Sequence, residues 1–278
     1  MKASQFDYVS AASVEQALGV LQSVGDRAKP IAGSQSLGPM LNLRLTRPQT
    51  VVDVSKLAEM RTVTTHQNIL RVGASVTHAQ IEDGVFELLR GHPVQMVASR
   101  IAYRSVRNRG TLGGSLAHAD PAADWVLACA ALDARIEVQS TAGTRLVSMS
   151  DFMVAAYTTV LAANEIITAV HFPVVSSRAR WGYQKFCRKT GEFAHASCAT
   201  YIDPASKAAR IVVGALDGAP SVLSALAVQV AAQGLEGFDG VAVQASLQQA
   251  LPQQDDIARQ MFVQVVLRCV HQAFGVQR

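Results

Sequence analysis

The chain has 278 residues, 49% of them apolar and 17% charged, with a formal net charge of +4 from 25 basic and 21 acidic side chains. Such a composition excludes a disordered chain, and the small, dispersed basic excess excludes a nucleic-acid-binding tract. The length lies near the size at which single cores stop growing, so two domains are as compatible with it as one.

In chain order, Ser13-Val14-Glu15-Gln16 reads as a capping box opening a helix with apolar face Val14, Ala17, Leu18 and Leu21. Lys29-Pro30-Ile31-Ala32 leads into a glycine turn and a short helical stretch through residues 40–43. Residues 50–54 and 69–74 read as strands, and Thr77-His78-Ala79-Gln80 as a second capping box. A helix is expected over residues 94–101, then a polar, glycine-bearing loop over 104–124, then a buried helix. Strands follow at 134–139 and 165–172, the second ended by Pro173. Residues 174–180 form the best linker candidate. Beyond it lie strands at 183–188, 195–201 and 211–215, then helices at 221–233 and 254–273, the pattern of an α+β domain.

The most apolar stretches, residues 125–132 and 261–270, are too short or too interrupted for a membrane span, which needs about 20 apolar residues. The N-terminus lacks the apolar core of a secretory signal. Cys129, Cys187, Cys198 and Cys269 are scattered without metal-ligand spacing, as expected for thiols of a reducing cytoplasm. No metal set and no convincing catalytic acid–base pair emerges.

Two glycine loops carry the chemistry. The first is Ala32-Gly33-Ser34-Gln35-Ser36-Leu37-Gly38, directly after a strand. The second runs from Arg107-Asn108-Arg109-Gly110-Thr111-Leu112-Gly113-Gly114-Ser115 to Asp124 and joins adjacent glycines, two hydroxyls and a carboxylate ahead of a helix. Small residues admit a ligand close to the backbone, and successive N–H groups form an anion-binding concavity. Each loop taken alone is also compatible with a turn that merely permits a tight backbone. Neither fits the Rossmann fingerprint or the P-loop.

Residues 32–37 resemble the A-G-G-Q-S-L loop of the FAD-binding medium subunits of molybdenum hydroxylases, the family of xanthine dehydrogenase and aerobic carbon monoxide dehydrogenase. Residues 107–124 resemble that family's second loop, R-N-x-G-T-I-G-G-N-x-x-x-A-x-P-x-x-D. Tyr183-Gln184-Lys185-Phe186-Cys187-Arg188 with Glu192-Phe193-Ala194 is similar to its K-x-x-R…D-x-A segment. The resemblance covers essentially the whole chain and implies an α+β protein. It would have a PCMH-type FAD-binding domain over residues 1–176, in two α/β subdomains (about 1–55 and 56–176). A C-terminal α+β domain with a three-stranded antiparallel sheet would follow over 177–278, like that of carbon monoxide dehydrogenase flavoproteins.

By the same resemblance, Ala32, Gly33, Ser34, Gln35, Ser36 and Leu37 would meet the FAD diphosphate, mainly through backbone N–H groups. Thr111, Gly113, Gly114 and Ser115 would do so from the other side. Asp124 would serve the ribose or adenine end, Ile101 and Ala102 would lie against the ring system, and Lys185 and Phe193 would approach the isoalloxazine. His118 and His195 are candidates for the flavin's surroundings, with ordinary packing as the alternative. Arg104, Arg107 and Arg109 would either steer phosphates or sit in a solvated loop facing a partner. Ser34 stands where the family has its second glycine, which a negative φ would accommodate; Ser115 stands for Asn and Glu192 for Asp. The first loop has no histidine for covalent attachment, so FAD is expected to be bound non-covalently.

The implied function is electron transfer: this chain would take electrons from [2Fe-2S] clusters of a small iron–sulfur subunit and pass them to an external acceptor. A large subunit with the molybdenum cofactor would oxidise the substrate, in a cytoplasmic dimer of heterotrimers. A stand-alone PCMH-type FAD oxidoreductase with its own substrate site is the alternative, and a flavin-free scaffold subunit a third possibility.

Overall fold

The computed structural model describes residues 2–276, and within them the β-branched segments assemble into three larger sheets, each drawn from one contiguous stretch of chain. The first stretch contains β1 (Asp7–Ser10), α1 (Val14–Val24), β2 (Ala28–Ile31), α2 (Leu37–Asn42) and β3 (Thr50–Asp53). Its strands are parallel in the order β1-β3-β2. Parallel neighbours require crossover connections, which α1 and α2 supply. Ser13 caps α1 by accepting the Gln16 N–H at 3.2 Å, while the Gln16 side chain reaches back to the Ala12 N–H at 2.6 Å. Val14, Ala17, Leu18 and Leu21 form the buried stripe of α1.

The second stretch contains β4 (Val63–His66), β5 (Ile69–Gly73), α3 (His78–Glu82), α4 (Pro93–Ser99), α5 (Arg104–Arg107), α6 (Leu112–His118) and α7 (Asp124–Ala131). It continues through β6 (Arg135–Ser140), β7 (Gly143–Ser148), α8 (Met149–Phe152), β8 (Met153–Ala155), β9 (Thr158–Thr159) and β10 (Ile166–Pro173). Five of these strands form an antiparallel sheet in the order β4-β5-β10-β6-β7, with β8 and β9 as a separate ribbon. The expected loop over residues 104–124 contains two helices. α6 forms despite its glycine pair because Thr111 caps it and Leu112 and Leu116 are buried, so tertiary packing outweighs the poor helix propensity of Gly-Gly.

The third stretch contains β11 (Arg180–Phe186), β12 (Ala196–Asp203), β13 (Ala208–Gly214), β14 (Ser221–Val222), α9 (Ser224–Gln233), α10 (Gly240–Ala250) and α11 (Asp256–Ala273). Three long antiparallel strands and the two-residue β14 form its sheet, in the order β11-β12-β13-β14. All of β12 is buried because both faces are covered. Ala199, Tyr201 and Val212 join the core built around α7, whereas Cys198, Ile202 and Val213 face the core of α9, α10 and α11. The region after β10 is tied down: Asp203 accepts both the Ser176 N–H, at 3.2 Å, and its hydroxyl, at 2.6 Å. α10 has no counterpart in the sequence reading, since only Val243 and Leu247 of its residues are buried.

Among the described residues, no helix is long and apolar enough to cross a membrane, and no group of three or more His, Cys, Asp or Glu could hold a metal ion. All four cysteines are free thiols.

Candidate functional site

The first glycine loop joins β2 to α2. Ser34 has φ +61°, the left-handed region that a side chain disfavours by roughly 1–2 kcal/mol, so the negative φ that would accommodate a serine there is not what the loop adopts. Its hydroxyl lies where a Cβ on residue 38 would be, and Gly38 thereby makes room for Ser34. The turn closes through the Gly38 N–H donating to the Ser34 carbonyl at 3.2 Å and the Gln35 side-chain amide donating to the Gly33 carbonyl at 3.1 Å. Among the described residues, none accepts from the backbone N–H groups of Ser34, Gln35, Ser36 or Leu37. None of these four residues is buried, so four adjacent donors await an acceptor from outside the chain.

The second loop is built differently. The Leu112 N–H donates to Val76 at 3.1 Å, the Gly113 N–H to Ala74 at 2.8 Å and the Ser115 N–H to Thr111 at 3.1 Å. The Gly114 N–H donates to Thr111 Oγ1 at 3.2 Å. The backbone N–H groups of Gly113, Gly114 and Ser115 are therefore engaged within the chain, unlike those of the first loop. What this loop leaves for a ligand is the half-buried Ser115 side chain and the open face of Gly114. Gly113 serves packing, since a Cβ there would overlap Ala74. Gly33 serves it too: a Cβ would overlap the Arg109 carbonyl, so the two loops touch backbone to backbone.

Behind the second loop sits His78, whose ring would be 2.8 Å from a Cβ on Gly110. His78 Nδ1 accepts the Trp125 indole N–H at 3.0 Å. Burial, reinforced by the Arg107 charge, lowers its pKa to about 3, so the ring is neutral with its proton on Nε2. Thr77–Gln80 forms the capping box that its sequence indicates, but nothing in that motif signals this role of His78.

A third group joins the ends of α4 and α7 to β11. Lys185 Nζ donates to the Arg100 carbonyl at 2.7 Å and to Asp124 Oδ1 at 2.8 Å. Tyr183 also donates its hydroxyl to Asp124 Oδ1; burial first, and the nearby carboxylate second, push the phenol pKa well up, so it remains a donor. Arg100 Nη1 returns a bond to the Tyr183 carbonyl at 3.0 Å. The structure thus brings together Asp124, Lys185 and the segment leading into Ile101 and Ala102. The pair is largely shielded, with side-chain exposures of 11% for Lys185 and 9% for Asp124.

Phe193 is exposed in the connection between β11 and β12, where Gly191 packs against the Tyr103 ring. His118 lies at the far end of α6 from Thr111, about 10 Å along the axis by helical rise, and packs on Tyr157 with ring centroids 5.3 Å apart. His195 is exposed beside Phe186, at 6.3 Å. Arg104 and Arg107 pair with Asp83 and Glu82, so neither is a free cation for phosphates.

The family described as the FAD binding domain in molybdopterin dehydrogenase matches residues 4–175. The nicotine 6-hydroxylase medium subunit of Paenarthrobacter nicotinovorans is 39% identical over 222 residues, 78% of this chain and 77% of that protein. The carbon monoxide dehydrogenase medium chain of Hydrogenophaga pseudoflava is 32% identical over 70% of this chain and 68% of its own length. Among solved structures, carbon monoxide dehydrogenase from H. pseudoflava superposes with a TM-score of 0.89 at 27% identity, over 99% of both chains. Quinoline 2-oxidoreductase from Pseudomonas putida 86 does so with a TM-score of 0.86 at 29% identity, over 100% of both.

Proposed function

The chain belongs to the family of FAD-binding medium subunits of molybdopterin dehydrogenases, and from that premise we propose that it is the electron-transfer subunit of a three-component molybdenum hydroxylase. The observation that carries the cofactor assignment is the row of four N–H donors at Ser34, Gln35, Ser36 and Leu37. A hydrogen bond to a charged oxygen contributes roughly 1.5–3 kcal/mol, so such a row suits a diphosphate without any lysine. Ala32 and Gly33 set the entry to this row. Thr111, Gly114 and Ser115 would close the other side, with Gly113 holding α6 in place.

Asp124 keeps acceptor capacity on Oδ2 for a sugar hydroxyl, because its two bonds to Lys185 and Tyr183 both fall on Oδ1. Lys185 would present positive charge beside Ile101 and Ala102, and the exposed Phe193 would cover the ring system. When bound, FAD supplies the redox chemistry, relaying electrons from iron–sulfur clusters to an external acceptor; the chain supplies position and electrostatics. In this proposal a small subunit holds two [2Fe-2S] clusters, a large subunit holds the molybdenum cofactor, and two heterotrimers pair in the cytoplasm. Residues 1–176 act as the FAD-binding domain and 177–278 as the domain that completes the ring site.

The test is to co-purify the chain with its endogenous partners, record the visible spectrum and identify the chromophore released by heat. Flavin absorption with intact FAD released, alongside iron and molybdenum in the partner subunits, is the expected result. A colourless complex that takes up no added FAD overturns the proposal.

A further inference from the structure

The geometry points to Arg107 as a positioning residue that holds the turn at Ile101 and Ala102 in its ligand-facing shape; this rests on the reading of that turn as the flavin-ring wall. Arg107 is only 13% exposed and divides its guanidinium between two tasks. Nε and Nη2 grip Glu82 at 2.7 and 3.0 Å, while Nη1 donates to the Ile101 carbonyl at 2.9 Å and the Ala102 carbonyl at 3.1 Å. Glu82 is itself pinned by Arg104, at 2.9 Å, and Arg104 forks onto Asp83. The anchor is therefore a braced carboxylate at the end of α3, not a mobile surface charge.

The turn needs such an anchor. Ala102 has φ +40°, a conformation that a residue with a Cβ disfavours, so the relaxed segment would leave it. Two successive carbonyls directed at one Nη1 oppose that relaxation. From the other side, Lys185 holds the Arg100 carbonyl, so residues 100, 101 and 102 are each held through a carbonyl oxygen. The Ile101 N–H is also engaged, with Ala98 at 3.2 Å, whereas no described residue accepts from the Ala102 N–H. The clamp thus presents one free backbone donor, at a strained residue, on the face assigned to the ring. A donor fixed there would hydrogen-bond a ring heteroatom and favour the more electron-rich reduced form.

The experiment compares four complexes purified with their partners: wild type, Arg107→Met, Ala102→Gly and the double variant. FAD affinity and the flavin midpoint potential are measured for each. Arg107→Met is expected to weaken FAD binding by about tenfold or more and to lower the potential. Measured against Ala102→Gly alone, Arg107→Met costs less affinity than it does in the wild type, because glycine adopts the left-handed turn without a clamp. Wild-type affinity and potential in Arg107→Met overturn the role, as does a loss that Ala102→Gly does not relieve. If Arg107→Met fails to assemble, Arg107→Lys, which keeps the charge but not the fork, is measured on the same scales with the same expectations. A wild-type complex without FAD would instead overturn the underlying functional reading.

Discussion

Residues 34–37 leave four backbone N–H groups without an acceptor among the described residues, whereas residues 112–115 direct all of theirs onto Val76, Ala74 and Thr111. Both stretches are short, small-residue loops that open a helix, and in sequence they invite the same reading. The difference is what comes alongside each backbone. A missing side chain admits either a ligand or another piece of protein, and only the first use leaves donors free. Gly33 and Gly113 belong to the second use, since each is buried against neighbouring protein atoms.

The strongest way to break this comparison is Gly33→Val set against Gly114→Val. At Gly33 even a Cβ overlaps the Arg109 carbonyl, which is backbone and cannot swing aside, so a loss of about 3 kcal/mol or more is expected by urea unfolding. Wild-type stability in Gly33→Val would sink the backbone contact between the loops.

Next, in the mildly acid range, comes the acid sensitivity of the packed loop. His78 has an ordinary pKa of 6.5 in the unfolded chain and about 3 when folded, so the unfolded state takes up the proton first. Stability is therefore complete above pH 6.5 and falls as the pH is lowered toward about 3, by up to ~1.4 kcal/mol per pH unit from this one group. His92, whose pKa burial also lowers, adds in the same sense. Urea midpoints followed from neutral pH downward should show this slope, and His78→Gln should flatten it; an unchanged slope would remove His78 from the account.

Gly114→Val comes third for stability. A Cβ there meets only the Thr111 hydroxyl, at 2.8 Å, so the cost is that of a disturbed helix cap, about 1 kcal/mol. FAD retention should nevertheless be lost, because the proposed site sets the ligand against the exposed Gly114; a folded variant with full flavin content would detach this face from the site. The smallest effect belongs to Ser34→Gly. Relief of the left-handed serine and the greater freedom of glycine in the unfolded chain oppose each other at similar size, so stability should move by no more than about 0.5 kcal/mol. A large destabilisation would mean that the Ser34 hydroxyl does more than fill the space above Gly38.

Much of the scaffold was legible where periodicity was strong. The stripe of α1, the strands β3, β5 and β10 and the buried run of α7 follow from apolar spacing and from the terminators beside them. β7 was missed because its first four residues are exposed and carry no alternating pattern, and α10 because it is largely polar. α5 and α6 read as loop because arginines and paired glycines say nothing about the caps and burial that sustain them.

Motif order, through the family it resembles, was enough to indicate the cofactor class and to nominate the two loops, Asp124 and Lys185 as candidates for its site. The partnership of Asp124 with Lys185 and Tyr183 was not readable, since it spans about sixty positions and depends on β11 meeting the N-terminus of α7. Nor was the left-handed turn at Ser34, or the hold of Arg107, braced on Glu82, over the Ile101 and Ala102 carbonyls. Only the tertiary structure decided which N–H groups stay free, because every residue but proline carries the same backbone donor and its partner is set by which chain segment packs against it.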